Sequence, residues 1–356
     1  SYFAGSFQAY LPQFLSPLAA LAIHRTASGE IIDKMPEKSI GRESAFAEAV
    51  YRGLTGKPKR LPSRFIYDQK GDALFQQIME LPAYYLTRCE TQILEAHKKD
   101  ICAHFQGKGD PFHLVELGSG DGTKTAILLK QLSEQGANFT YMPVDISAHA
   151  LQGLRLRMEK AFPDLEIRPW QGTYFDMLNQ IDAFSDARKV LLFLGSNLGN
   201  MMHEQARSFL SGLAEAMTPS DSLFIGFDQK KHPRIILDAY DDPDGVTAAF
   251  NKNILHRINR ELGADFDPEK FLHWETYNPE SGAAQSYLVA REAMEVGIKA
   301  LELEVHFDPW ETIHTELSQK YDDAVVDWLP AGAGLQVLEA FEDPRGYFKN
   351  YLFQKA

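Results

Sequence analysis

Phe112 to Thr125 reads FHLVELGSGDGTKT, and the segments on both sides take their meaning from it. Phe112 to Leu117 is a short apolar run, rich enough in β formers to be a buried strand, and it ends beside Glu116 and a set of alternating glycines, Gly118, Gly120 and Gly122. The turn is therefore largely free of Cβ atoms, which lets backbone pass close to a ligand. Thr125, Ala126, Ile127, Leu128, Leu129 and Leu132 then supply the apolar stripe of a helix that packs back on the sheet. Strand, glycine turn and helix in this order mark a nucleotide-type site at the carboxyl end of a parallel strand. The plain alternative is a tight turn that binds nothing.

The loop fits two common nucleotide motifs poorly. A dinucleotide fingerprint wants Gly or Ala three residues after its second glycine, where this chain has Thr123, and a phosphate loop wants G-K-[ST], where it has Gly122-Thr123-Lys124. What remains, an acid followed by alternating glycines, resembles the first motif of S-adenosylmethionine-dependent methyltransferases of the Rossmann-like class I type.

At 356 residues the chain is long enough for a large α/β domain with a smaller one added. A formal net charge of -13 opposes tight binding to nucleic acid or to an anionic membrane, since phosphate recognition draws on clustered Lys and Arg. Cys89 and Cys102 are too few for a disulfide framework or a thiolate metal site, so no metal is expected and the composition suits the cytoplasm. No apolar stretch approaches bilayer-spanning length, and residues 9–23 lack the basic start of a signal peptide. The expected protein is a cytoplasmic monomer acting on a small molecule.

The order of elements can be read along the chain. Residues 1–24 read as an N-terminal arm, either for docking or a loose terminus, and 25–95 as a helical segment with helices over 42–54 and through Leu74, Phe75, Ile78 and Met79. A helix from about Thr87 to His104 leads into the glycine-loop strand. Further strands are expected at Phe139–Val144, Glu166–Tyr174, Val190–Leu194 and Ser222–Phe227, with helices between them, the clearest over Glu204–Met217. This makes 96–229 the first part of the nucleotide-binding domain. Residues 230–316 read as an inserted smaller α+β domain: two helices around a turn at Asp241–Gly245, then antiparallel strands over Phe271–Phe307. Residues 317–356 return to the first domain, with a helix near Leu317–Leu329 and a terminal antiparallel hairpin, Leu335–Phe341 and Tyr347–Phe353.

Three places carry chemistry. Asp145 ends the second strand about twenty residues beyond the glycine loop, where a carboxylate accepts both ribose hydroxyls; its alternative role is to cap the next helix. Lys124 is either a solvated helix residue or a counter-charge to a bound carboxylate. LLFLGSNLGN, Leu191 to Asn200, sets polar groups at the end of the fourth strand, without the Asn- or Asp-Pro-Pro-aromatic motif of enzymes that methylate nucleobases.

The motifs LPAYYLTRCE, ELGSGDGTKT, FLGSNLGN, AYDDPDGVTAAFNKN and IHTELSQKY, in this order, resemble those of the histidine-specific Nα-methyltransferases. Members of that family convert histidine to its trimethylated betaine, hercynine, on the route to ergothioneine. The resemblance implies a class I methyltransferase sheet with a terminal antiparallel hairpin, plus a substrate domain made from the N-terminal helical segment and the late insertion. It implies that Tyr67, Gly118, Lys124 and Asp145 contact S-adenosylmethionine, with Gly195 beside the reacting centre and Tyr174 near the adenine; an aspartate of the family that holds the adenine amine is here Thr173. On the acceptor side, Asn200 and Tyr240 match residues holding the carboxylate, Tyr84 one beside the amine, and Glu316 and Ser318 the pair gripping the imidazole. A methionine lining the imidazole pocket in the family aligns with Ser286. Tyr84 and Asn200 are the candidate catalytic residues.

These residue types suit the task. An amino acid is charged at both ends, so a partly buried site must offer its carboxylate donors such as Asn and Tyr. A carboxylate and a hydroxyl two residues apart lie on one side of an extended segment and can meet both ring nitrogens. Other readings stay open at this level: a different amino acid or small amine as acceptor, a cofactor-binding protein without turnover, or, disfavoured by Thr123, a nicotinamide-dependent oxidoreductase.

Overall fold

The structure, a computed structural model, describes residues 44–356; the arm expected over 1–24 and the start of the segment expected from residue 25 lie outside the described residues. The first described elements are α1 (Ala45–Thr55), β1 (Lys59–Arg60), α2 (Gln69–Glu80) and α3 (Leu86–Gln106). Side-chain oxygens start two of these helices: Ser44 accepts from Ala47 N–H ahead of α1, and Asp68 from Gly71 N–H ahead of α2.

Strand and helix then alternate through β2 (Phe112–Leu117), α4 (Thr125–Glu134), β3 (Phe139–Asp145), α5 (Ala148–Ala161), β4 (Trp170–Gln171), α6 (Tyr174–Phe184), β5 (Arg188–Phe193), α7 (His203–Glu215) and β6 (Ser222–Asp228). A second run follows: α8 (Pro233–Tyr240), α9 (Val246–Leu262), β7 (Phe271–Asn278), β8 (Ala283–Ala290), β9 (Met294–Ile298), β10 (Leu303–Phe307) and β11 (Thr312–Gln319). The chain ends with α10 (Asp323–Ala331), β12 (Leu335–Glu342) and β13 (Phe348–Lys355).

The large sheet has the order β12-β13-β6-β5-β2-β3-β4. Its pairings are parallel from β6 to β4, and the hairpin β12–β13 joins antiparallel to β6, as the expected class I methyltransferase sheet requires. Every residue of β2 is buried because both faces of the sheet are covered. Leu114 belongs to the core on one face with Ile101, Phe105, Leu128 and Leu132, while Val115 and Leu117 belong to the other with Leu210 and Leu213. Strand order reverses between β2 and β5, so the connections leaving their carboxyl ends diverge and open a crevice.

A smaller sheet, β1-β11-β8-β7, builds the other wall. The segment before α3 is bound into this region: Asn253 on α9 donates to Ile66 O at 3.0 Å and Asp68 Oδ1 at 2.8 Å. Among the described residues no helix is long and apolar enough to cross a membrane.

Two expected elements are corrected. The strand expected over Glu166–Tyr174 shrinks to Trp170–Gln171, because Thr173 instead starts a helix by accepting from Asp176 N–H, and Tyr174 is that helix's first residue. The helix expected from Leu317 begins only at Asp323, capped by Asp322; Leu317 lies within β11, which runs through residues 316 and 317 where the inserted segment was expected to end. A further difference is the Lys/Pro-rich segment after α1, where Lys59 and Arg60 pair in parallel with Ile313 and His314.

Candidate active site

The crevice above β2 and β5 is shaped by glycines at two positions. Gly118 has φ 70° and donates its N–H to Val144 O at 2.9 Å, which sets it beside Asp145. A Cβ there would lie 2.8 Å from Tyr174 Oη and 3.4 Å from Asn197 Nδ2, inside the space a ligand would need. At Gly195, φ 75°, a Cβ would lie 3.2 Å from Lys124 Nζ. Glu90 on α3, fully buried, ties these parts together: its Oε2 accepts from Gly195 N–H at 2.9 Å and pairs with the Lys124 ammonium, and its Oε1 accepts from Asn350 at 3.0 Å. Lys124 therefore arrives with its charge already met by a carboxylate.

Asp145 accepts from Ser147 N–H at 2.9 Å, while Ser147 itself caps α5. Burial pushes the Asp145 carboxyl above its ordinary range, against the opposing pull of the Ser147 and Ile146 N–H groups. Tyr174 packs edge-on against Phe193 and Phe209, and burial pushes its hydroxyl up to about 12. Thr173 is exposed, and its hydroxyl is engaged with Asp176 at 2.6 Å.

One cavity gathers all the expected acceptor residues. Tyr67, Tyr84, Tyr240, Gly195 and Asn200 line it together with Ser286, Glu316 and Ser318. Phe75, Ile78, Leu86 and Phe250 supply its apolar wall. Gly118, Lys124, Asp145, Thr173 and Tyr174 do not line that cavity; all but the exposed Thr173 make up the neighbouring crevice just described. The two regions meet because the short 3-10 turn Asn197–Asn200 packs on β11: a Cβ at Gly199 would lie 3.0 Å from Gln319 O.

The polar groups of the cavity are fixed from behind. Lys320, fully buried, donates to Tyr240 Oη and to Ser318 Oγ, each at 2.7 Å, and those two oxygens lie 2.8 Å apart. Its charge is met by Asp228 at 2.8 Å, which also pairs with Lys231 and accepts from Tyr85. Burial alone would push the Asp228 carboxyl up, but Lys320 and Lys231 hold it below the usual range. Glu316 accepts from Asn251 Nδ2 at 3.0 Å, and burial pushes its carboxyl up to about 7. Burial likewise raises the hydroxyls of Tyr84 and Tyr240 well above their ordinary value, so both remain neutral donors and acceptors.

Sequence reasoning missed Glu275, Asn251 and Lys320. Glu275 lines the cavity and accepts from Ser286 Oγ at 2.6 Å, and burial pushes it up to about 8. Asn251 lies within AFNKN and Lys320 within LSQKY, both inside stretches singled out above, and the alternation of β11 could have drawn attention to Lys320 beside Glu316 and Ser318.

Comparison with known proteins supplies the family. Residues 46–355 match the family described as "Histidine-specific methyltransferase, SAM-dependent". The chain is 38% identical over 304 residues to a histidine N-alpha-methyltransferase of Mycobacterium tuberculosis (strain CDC 1551 / Oshkosh), an alignment covering 85% of this chain and 93% of that one. It is 39% identical over 306 residues to the histidine N-alpha-methyltransferase of Mycolicibacterium smegmatis (strain ATCC 700084 / mc(2)155), covering 85% and 94%. Ergothioneine biosynthesis protein 1 of Schizosaccharomyces pombe (strain 972 / ATCC 24843) is 29% identical, over 83% of this chain and 39% of that longer one. A match over nearly the whole described chain, on a sheet of this order with its glycine crevice and its carboxyl-lined cavity, decides the matter: the chain belongs to the histidine-specific, S-adenosylmethionine-dependent methyltransferase family.

Proposed function

We propose that the chain transfers methyl groups from S-adenosylmethionine to the α-nitrogen of free histidine, giving trimethylhistidine. The observation that carries this reading is a single cavity lined by Gly195 and Asn200 beyond β5 and, from the second sheet and its helix, by Tyr240, Glu316 and Ser318. The acceptor's holder is drawn from the helical segment over 25–95 and the insertion over 230–316, completed by Ser318. The enzyme works as a cytoplasmic monomer on a free amino acid, and a net charge of -13 disfavours nucleic acid or an anionic membrane as its partner.

The residues present fit the methyl donor. The backbone at Gly118 leaves space that a Cβ would fill, and Asp145 stands alongside with a carboxylate suited to ribose hydroxyls. Gly118, Asp145, Lys124 and Gly195 would hold it, with Tyr67, Thr173 and Tyr174 at its margins; through Thr173, the adenine contact competes with Asp176 for one hydroxyl. When bound, the donor supplies an electrophilic methyl on a sulfonium whose positive charge disappears as the methyl leaves.

The chain's own groups do the rest. Asn200 and the Tyr240 hydroxyl donate to the acceptor's carboxylate, with Lys320 fixed behind Tyr240. Glu316 accepts from a ring N–H and Ser318 meets the ring beside it. The α-ammonium must lose a proton before its lone pair can attack. Tyr84, neutral because burial raises its hydroxyl, orients the amine by accepting one N–H, and the released proton passes to water. Phe75, Ile78 and Phe250 keep bulk water from the reacting pair. Positioning supplies most of the acceleration.

The test is to incubate the full chain with S-adenosylmethionine and a panel of free amino acids and to read masses. Histidine is expected to gain mono-, di- and finally trimethylated forms. Donor binding with another amino acid methylated and histidine untouched would overturn the acceptor assignment while leaving the family intact.

A further inference from the structure

The strand register of the smaller sheet sets three polar residues in one row across the cavity. Glu275 on β7 pairs with Ser286 on β8, and Ser286 pairs with Glu316 on β11. Residues opposite one another on neighbouring strands share a face, so all three look into the same space, and all three line the cavity. Glu275 is 7% exposed; its Oε2 accepts from Ser286, and its Oε1 takes no hydrogen bond among the described residues. Glu316 is arranged alike, with Oε2 held by Asn251 and Oε1 without a partner among the described residues. One buried carboxyl, Glu275, and one half-buried, Glu316, thus each offer a free oxygen to whatever fills this end of the site.

Ser318 is less available than its spacing from Glu316 suggests. Its oxygen already accepts from Lys320 and shares a proton with Tyr240. Of the two hydroxyls on that lysine, one proton is used between them, which leaves a single donor for the acceptor's carboxylate or ring. A second ring nitrogen therefore has its best partner elsewhere, across the row at Glu275. We infer that Glu275 is a second ring-binding carboxyl, and that with Glu316 it makes the pocket select an acceptor whose side chain presents two hydrogen-bonding nitrogens and the proton they share with the acid pair.

This deepens, and rests on, the reading of histidine as acceptor. A neutral imidazole has one N–H and one bare nitrogen, and two carboxylates would set one anion against that lone pair. The conflict ends when one further proton sits between ring and acids: on the ring, which then donates to both, or on one acid, which then donates to the bare nitrogen. Burial, together with the nearby Glu316, raises Glu275 enough that such a proton is at hand near neutral pH, against the opposing pull of Ser286 and Lys320. The other groups around Glu275 are Asp241, which adds to the negative field, the hydroxyls of Tyr240 and Tyr287, which burial keeps neutral, and His273, on the same face of β7, which burial keeps from charging. Phenylalanine offers this row no donor at all, tyrosine and tryptophan one each. A methionine at position 286 would hydrogen-bond neither acid strongly, so the serine and the second acid act together here.

Two measurements test this. Glu275→Gln keeps shape and hydrogen-bonding capacity but removes the acid; histidine Kd, read by calorimetry with S-adenosylhomocysteine present, is expected to rise about tenfold, with donor Kd held within about twofold. The wild type is expected to bind Nτ-methyl- and Nπ-methyl-histidine more weakly than histidine, and the variant to narrow that gap for the isomer whose blocked nitrogen faces position 275. Unchanged histidine affinity and unchanged gaps for both isomers overturn the proposal. Should Glu275→Gln fail to fold, Ser286→Ala carries the test: histidine Kd rises about threefold with donor binding intact, and no rise overturns it. A wild-type protein that binds donor but leaves histidine unmethylated refutes the acceptor reading itself, whereas wild-type turnover with both variants unaltered refutes the role of Glu275 alone.

Discussion

Glu316 sits in the cavity wall with one oxygen held by Asn251, and its burial has a consequence for the empty protein. A carboxyl pushed up to about 7 from an ordinary 4.5 favours the folded state most when protonated. Its contribution is fully present below about pH 4.5 and is lost as pH rises through about 7, and Glu275 extends the loss through about 8. The ligand-free protein is therefore expected to lose thermal stability between about pH 4.5 and about 8, by roughly 1–2 kcal/mol per group once water in the cavity is allowed for, a few degrees in Tm. Glu316→Gln should flatten that slope and also raise histidine Kd at least tenfold while leaving the donor's Kd within about twofold. Thermal melts of wild type and variant across that range decide the first point; a slope unchanged in the variant would show that the acid is not buried in this way. Glu316 was legible through its motif, whereas Glu275 was not. Nothing in β7 alone distinguishes an inward acid from a solvated one, and only its pairing with β8, which carries β11 on its other side, turns it into the cavity.

At the scale of elements, the glycine turn and the parallel strands were legible because their signals are local: a continuous apolar run buried on both faces, then backbone that only glycine tolerates. The errors arose where two local signals competed. Glu166–Tyr174 carries enough aromatic and β-branched character to read as a strand, but Thr173 followed three residues later by Asp176 is a helix start, and the cap won. Leu317 stands four residues from both Ile313 and Tyr321, a spacing that reads as helix, and pairing with β8 made it strand. The same logic identifies which glycines the site depends on. Gly118→Ala must hold an L-residue at φ 70° and bring a methyl within 2.8 Å of Tyr174 Oη, so donor Kd is expected to rise at least tenfold with a Tm loss of a few degrees. Gly120→Ala, also at φ 54° but with no heavy atom within 4 Å of the new methyl, should share the strain without the clash and lose donor affinity less. Calorimetry on the pair separates the two effects, and equal losses would mean that strain alone accounts for both.

For the whole molecule, the question is what keeps a donor crevice on one sheet in register with an acceptor cavity built on another. Asp228 ends β6 in the large sheet, Lys320 follows β11 in the small one, and Lys231 and Tyr85 reach the same carboxylate from α8's approach and from the start of α3. All of this is buried, so the node is weak as a source of stability but strict about geometry: removing one member leaves the rest uncompensated. Asp228→Asn strands two buried ammonium groups and is expected to destabilise the protein by about 3–5 kcal/mol. Lys320→Met leaves Asp228 with Lys231 and Tyr85, so it should destabilise less, yet it frees Tyr240 and Ser318 from the cation that orients them and should raise histidine KM several-fold. Because both changes act on one pair, the double variant Asp228→Asn/Lys320→Met should recover part of the stability lost in Asp228→Asn while keeping the histidine defect. Chemical denaturation of the four proteins measures this directly. Losses that simply add would show that Asp228 and Lys320 are not coupled, and that the two sheets are held in register by packing instead.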